Sequence, residues 1–327
     1  MKMRVVVIIG GPALLIAAVV AVVVALRNRR QSASPPDAPV SPCPAEVRVK
    51  TVERKAEPMD HEAVEASAAV AIVCGEDAPT ADRYEARNYA LRSIARRRDM
   101  PEKDVAALIA YLRTADNAMR VERVAALKND VMNLLRSQEP LPKGLAETLM
   151  GIFEGGKHPP AVIDYCIQHL GAMLDELDEK GRLRVRAVLA KAAKRTKQPY
   201  AGTALYSLAE DARATPAQDK ELKGLALALC KPEANHAARI AAIQLAGERG
   251  FADALPVLRE ILSAPSRDAV LDIAAIGSVG LLGSAVDIPL VESVAARGGR
   301  RYAVAANAAI ERIKNRVARP SEGAGVR

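Results

Sequence analysis

The chain has 327 residues, half of them apolar, yet it contains no Trp and only two Phe. Ala, Leu, Val and Ile must therefore supply the burial, which suits closely layered helices and predicts an all-α body. The formal charge of +8 is unevenly placed: residues 1–55 carry nine basic and three acidic side chains, leaving only +2 from Ala56 onward. That distribution argues against a nucleic-acid-binding body, which needs its basic charge on the folded surface.

The first predicted element is a membrane anchor within residues 1–26. Val5 to Leu26 is 22 residues without a charge, enough at ~1.5 Å per residue to cross a hydrocarbon core of ~30 Å. Arg27, Arg29 and Arg30 follow directly and read as an interfacial stop rather than as a signal-peptide cleavage site. The short N-terminal tail favours an extracytoplasmic body, against which the three arginines stand. Residues 27–58 form a linker in which prolines at 35, 36, 39, 42 and 44 deny both helix and sheet pairing, giving an extended spacer.

A helical repeat domain is predicted over 59–320, ahead of a short tail at 321–327. Apolar residues at helical spacing mark fourteen stretches: 60–74, 80–98, 101–114, 117–137, 142–154, 159–176, 180–195, 200–212, 217–230, 235–248, 252–263, 267–280, 285–296 and 300–317. Pro101 and Pro160 stand at first-turn positions, and Gly250, Gly283 and Gly298-Gly299 separate helices where a left-handed residue costs little. Fourteen helices make about seven pairs.

Within this region the tripeptide Ala-Ala-Ile recurs at 241–243, 274–276 and 308–310, spaced by 33 and 34 residues. Leu222, Leu255 and Ile288 keep the same step, as do Leu225, Leu258 and Val291, and Leu229, Leu262 and Ala295. A fixed period with two helical patterns per unit predicts an α-solenoid. The segment from His236 to Leu262 has an Ala-rich helix ending in Leu-Ala-Gly-Glu-Arg-Gly, then Asp-Ala and a Leu-rich helix. It resembles a HEAT repeat, in particular the short form first described in phycobilisome lyases. Ser266–Gly298 resembles a second unit, Arg300–Val317 the opening helix of a third, and residues 199–232 a more divergent one. The resemblance covers about 120 residues; upstream of 180 only helix pairing continues. HEAT arrays are mostly binding scaffolds, so the resemblance implies a protein partner bound along the stacked helices.

Candidate contact residues follow from charge and position. Lys180 to Lys197 carries a basic run that includes Arg182, Arg186 and Lys194. It is suited to an acidic partner or anionic headgroups, or else it is a solvated face balanced by Asp175, Glu176, Asp178 and Glu179. Arg259 and Glu260 lie on the second helix of a repeat, where scaffold grooves are lined. Arg297, Arg300, Arg301, Arg312, Lys314, Arg316 and Arg319 polarise the last helix, as a terminal repeat requires. Cys166 and His169, with Asp164 and His158 nearby, are considered as metal ligands. However, Val162, Ile163, Cys166 and Leu170 form the apolar stripe, which makes Cys166 core and His169 a boundary residue.

Catalytic motifs are missing from the sequence: there is no Gly-rich phosphate loop, no G-x-S-x-G and no H-E-x-x-H. The expectation is a membrane-tethered scaffold without enzyme activity, cofactor or metal. A nucleic-acid-binding solenoid and a lyase-related chromophore-attachment protein are the alternatives. The four cysteines lack metal-binding spacing, and Cys166 and Cys230 read as buried thiols.

Overall fold

The computed structural model describes residues 66–75, 83–116, 119–264 and 268–318, and among them it is helical without strands. The predicted anchor at 5–26, the linker at 27–58 and the tail at 321–327 lie outside the described residues. Among the described residues no helix is long and apolar enough to cross a membrane.

Fourteen α-helices occur among the described residues, one overlapping each stretch marked by the periodicity, with ends shifted by one or two residues in several: α1 (Ala66–Cys74), α2 (Arg83–Ile94), α3 (Glu102–Arg113), α4 (Val121–Arg136), α5 (Leu145–Gly155), α6 (Pro160–Ala172), α7 (Glu179–Ala193), α8 (Tyr200–Ala209), α9 (Pro216–Leu229), α10 (His236–Glu248), α11 (Leu255–Ser263), α12 (Ala269–Leu282), α13 (Ile288–Gly298) and α14 (Arg300–Ala318). Their starts are set locally. Asp178 accepts from the Gly181 N–H, and Asn235 and Asp268 each accept from two first-turn N–H groups. Thr215 and Gln218 form a reciprocal capping box ahead of α9, with Pro216 in the first turn. Gly250 and Gly299 have positive φ, as a left-handed break requires. Gly283 differs: its backbone is extended, at φ −72° and ψ 176°. A side chain there would meet the Val279 carbonyl oxygen at 2.7 Å, so close approach rather than handedness calls for glycine.

The helices pack in two series. The even-numbered helices α2 to α14 each pack on the next even one, and α1, α3, α5 and α7 form a parallel odd-numbered series that resumes with α11 and α13. Across the two series, α1 packs on α2, α7 on α8, α9 on α10, α11 on α12 and α13 on α14. The Ala-rich helices α10, α12 and α14 thus lean on the helix before them, with Ala242, Ala275 and Ala309 buried.

Small residues let the later even helices approach closely. A Cβ added to Gly280 of α12 would lie 2.8 Å from both Cα and Cβ of Ala309 on α14. One added to Gly247 of α10 would lie 3.0 Å from the Cα of Ser278, and one on Gly202 of α8 would lie 3.0 Å from the Cα of Ala238. Gly171 of α6 meets Ser207 of α8 in the same way. The Ser278 hydroxyl donates to the Ile243 carbonyl at 2.8 Å across one of these seams. Backbone-to-backbone packing of this kind leaves no room for even one methyl group.

Candidate functional site

Arg182 and Arg186, two members of the basic run, are buried. Both donate to Asp211 Oδ2 at 2.6 Å, with side chains 3% and 6% exposed and the aspartate side chain fully enclosed. Arg182 also donates to both carboxylate oxygens of Glu179, at 2.9 and 2.7 Å. Burial pushes the Asp211 carboxyl up, but Arg186, the Arg213 backbone N–H and Arg182 outweigh it and hold it below its ordinary value. The run is therefore divided: these two arginines close an internal joint, while Lys194 is exposed and faces Glu221 at 3.5 Å.

The joint recurs. Lys223 of α9 pairs with Asp253 in the turn after α10, and Arg259 of α11 pairs with Asp287 in the turn after α12. In each case a cation on an odd helix reaches an aspartate in the turn after the following even helix. Arg259 Nε and Nη2 donate to the two Asp287 oxygens at 2.6 and 3.1 Å, and that guanidinium is the main reason the carboxyl is held low. Glu260, beside it, is exposed.

A second recurring contact closes helix ends. Arg213 donates to the Leu174 and Leu177 carbonyls, Arg249 to Ala209, Arg297 to Leu262, and Arg316 to Gly280, Leu281 and Gly283. Each satisfies carbonyls at or beyond the C-terminus of an earlier helix, where backbone acceptors have no intrahelical donor. Two basic residues assigned to polar capping of the last helix, Arg297 and Arg316, thus also hold the stack together.

Most polar groups around Cys166 have structural partners, the buried Asp164 Oδ1 and Arg136 Nε being exceptions. Cys166 is fully buried, and burial pushes its thiol up to about 12; Cys230 is likewise pushed up to about 12. His169 is not a boundary residue but 3% exposed, with Nε2 3.1 Å from Asn129 Oδ1 and Nδ1 3.4 Å from Arg136 Nη1. Because a guanidinium can only donate, Nδ1 accepts and Nε2 carries the proton. Burial, and then Arg136, lower its pKa to about 4. Lys128 of α4 is also buried, with Nζ on the Leu112 and Thr114 carbonyls at 2.9 and 2.5 Å, and burial lowers it to about 8. No group of three or more His, Cys, Asp or Glu among the described residues is arranged to hold a metal.

Two surface features remain. The outer faces of α5, α7 and α9 carry exposed ion pairs: Arg184–Glu147 at 3.0 Å, Lys191–Glu154 at 3.3 Å and Lys194–Glu221. Next to them is a cavity of about 390 Å³ between the end of α3, one side of α5 and the turn into α6. Arg113, Thr148, Gly151, Gly155, Lys157 and His158 line it, together with Glu147 and Ile152. Arg113 Nη2 donates to the Thr148 hydroxyl at 2.7 Å. Sequence reasoning missed this cavity, since its lining comes from three segments and includes glycines that carry no periodic signal. Comparison with family models, with curated proteins and with solved structures returns no match.

Proposed function

We propose that this protein is a membrane-tethered α-solenoid of HEAT-like helix pairs that binds a protein partner and carries out no catalysis. Residues 5–26 serve as the anchor and 27–58 as the spacer, with the repeats on the extracytoplasmic side. The observation that carries the reading is the recurring joint, Arg182–Asp211, Lys223–Asp253 and Arg259–Asp287. Such joints link a unit to its neighbour only, which is how a one-dimensional stack is stabilised, and they leave a long lateral face for a partner. The face proposed for contact is the outer side of α5, α7, α9 and α11, with Arg184, Lys191, Lys194 and Glu260 exposed on it. Exposed ion pairs there contribute at most ~1 kcal/mol each, so they can be exchanged for partner contacts at small cost. Arg182, Arg186 and Arg259 have a supporting role in this reading.

The test is cross-linking and affinity capture with the full-length chain in detergent extracts, comparing wild type with a Lys191→Glu, Lys194→Glu, Glu260→Lys variant. The expected result is a defined partner captured by wild type and lost in the variant, with the helical signal and melting temperature unchanged. An identical captured set for both proteins refutes the proposed face. A phosphatase-active C-terminal alkaline phosphatase fusion checks the sidedness.

A further inference from the structure

We propose that the cavity between α3, α5 and the α5–α6 turn is a binding site for a small organic oxyanion, a carboxylate or phosphate carried on a compact apolar body. The first argument is the glycine pair in its lining. Gly151 and Gly155 are one helical turn apart on the exposed side of α5, and a Cβ added to either would meet nothing within 4 Å. Gly171, Gly202, Gly247 and Gly280 of the even helices each meet a residue of the next even helix; Gly151 and Gly155 have no such neighbour, and they are the glycines of this kind that line the cavity. Each glycine in a helix interior costs about 1 kcal/mol relative to alanine. What the pair provides is open volume and an exposed helix backbone, which a ligand can approach closely.

The second argument is charge. Arg113 and Lys157 line the cavity, and among the described residues neither has an acidic partner. The acidic residue in the lining, Glu147, is turned to Arg184 at 3.0 Å, and nearby Glu154 is turned to Lys191. The Thr148 hydroxyl holds one terminal nitrogen of Arg113 at 2.7 Å, which fixes the guanidinium at the rim and leaves its other donors for a ligand. His158, in the turn into α6, completes the lining beside Lys157. A fixed guanidinium and an ammonium on opposite segments match an oxyanion. Ile152 and the glycine backbone provide the apolar remainder, and about 390 Å³ sits at the small end of ligand-site volumes.

The experiment is ligand-observed NMR with the full-length chain in detergent, titrating benzoate and phenyl phosphate as probes. Three proteins are compared: wild type, Arg113→Gln/Lys157→Gln, and Gly151→Leu, which fills the cavity while adding a strong helix former at an unobstructed position. The expected result is saturable binding to wild type, weakened roughly tenfold or more in the double variant, and abolished by Gly151→Leu with the melting temperature equal or higher. The tighter probe identifies the ligand as a carboxylate or a phosphate. Absence of saturable binding to wild type by both probes, or wild-type affinity retained in either variant, overturns the assignment.

Discussion

Replacing Gly280 by alanine tests the close packing of the even helices, and replacing Gly151 by alanine provides its control. Both glycines are helical, so each substitution gains about 1 kcal/mol of intrinsic helix propensity. At Gly151 nothing opposes that gain, because no atom lies within 4 Å of the new methyl group. At Gly280 the methyl group would sit 2.8 Å from Cα and Cβ of Ala309. Carbon atoms prefer separations of about 3.5–4.0 Å, so α12 and α14 must part by roughly 0.7–1.2 Å. Overpacking of this kind costs about 1–3 kcal/mol. Gly151→Ala should therefore be about 0.5–1 kcal/mol more stable than wild type, and Gly280→Ala up to about 2 kcal/mol less stable. Because the propensity gain is common to both, the difference between the variants isolates the packing cost. Urea unfolding followed by far-UV circular dichroism gives the comparison. Hydrogen exchange then localises the loss, which should fall in α12 and α14, the two helices whose contact the methyl group disturbs. Equal stability of the two variants would refute the close-packing argument.

Two further predictions concern the buried ionic groups. Asp211→Asn leaves Arg186 enclosed without a counter-charge and Arg182 with Glu179 alone, and should cost about 3–5 kcal/mol in urea unfolding at neutral pH. Stability comparable to wild type would show that the joint contributes nothing. His169 has a pKa lowered to about 4 in the folded protein, whereas the unfolded chain binds that proton near pH ~6.5. Its contribution is therefore complete above that pH and is lost as pH falls towards 4, amounting to about 3 kcal/mol. His169→Gln keeps a donor for Asn129 and an acceptor for Arg136, and should flatten the stability–pH profile between 6.5 and 4. An unchanged slope in that window would rule out His169 as its source.

Much of the helical architecture is legible along the chain because it is encoded at short range. The spacing of Leu222, Leu225 and Leu229 marks one buried face, and the structure buries all three. Thr215, Asn235 and Asp268 cap their own helices through hydrogen bonds spanning two or three residues, so each start is determined locally. Within one helix, periodicity also distinguishes a core cysteine from an exposed one, as at Cys166.

What the tertiary structure alone decided is which residues of the same type do different work. Arg182 and Lys194 belong to one basic run, yet Arg182 is enclosed by Asp211, 29 residues away, and Lys194 stands in solvent. A run of like charges looks the same in sequence whether or not a distant carboxylate folds over it. His169 sits beside the apolar stripe and is nonetheless buried, because Asn129 and Arg136 on α4 supply its hydrogen bonds. Gly280 and Gly151 are likewise indistinguishable as letters in a helix, yet one presses against a neighbouring backbone and the other opens a cavity. Burial, partner and open space depend on contacts between segments more than 25 residues apart in most of these cases, and no local periodicity records them. The core faces of the helices are therefore a property of the sequence, while the joints between units and the candidate oxyanion site exist only once the helices are stacked.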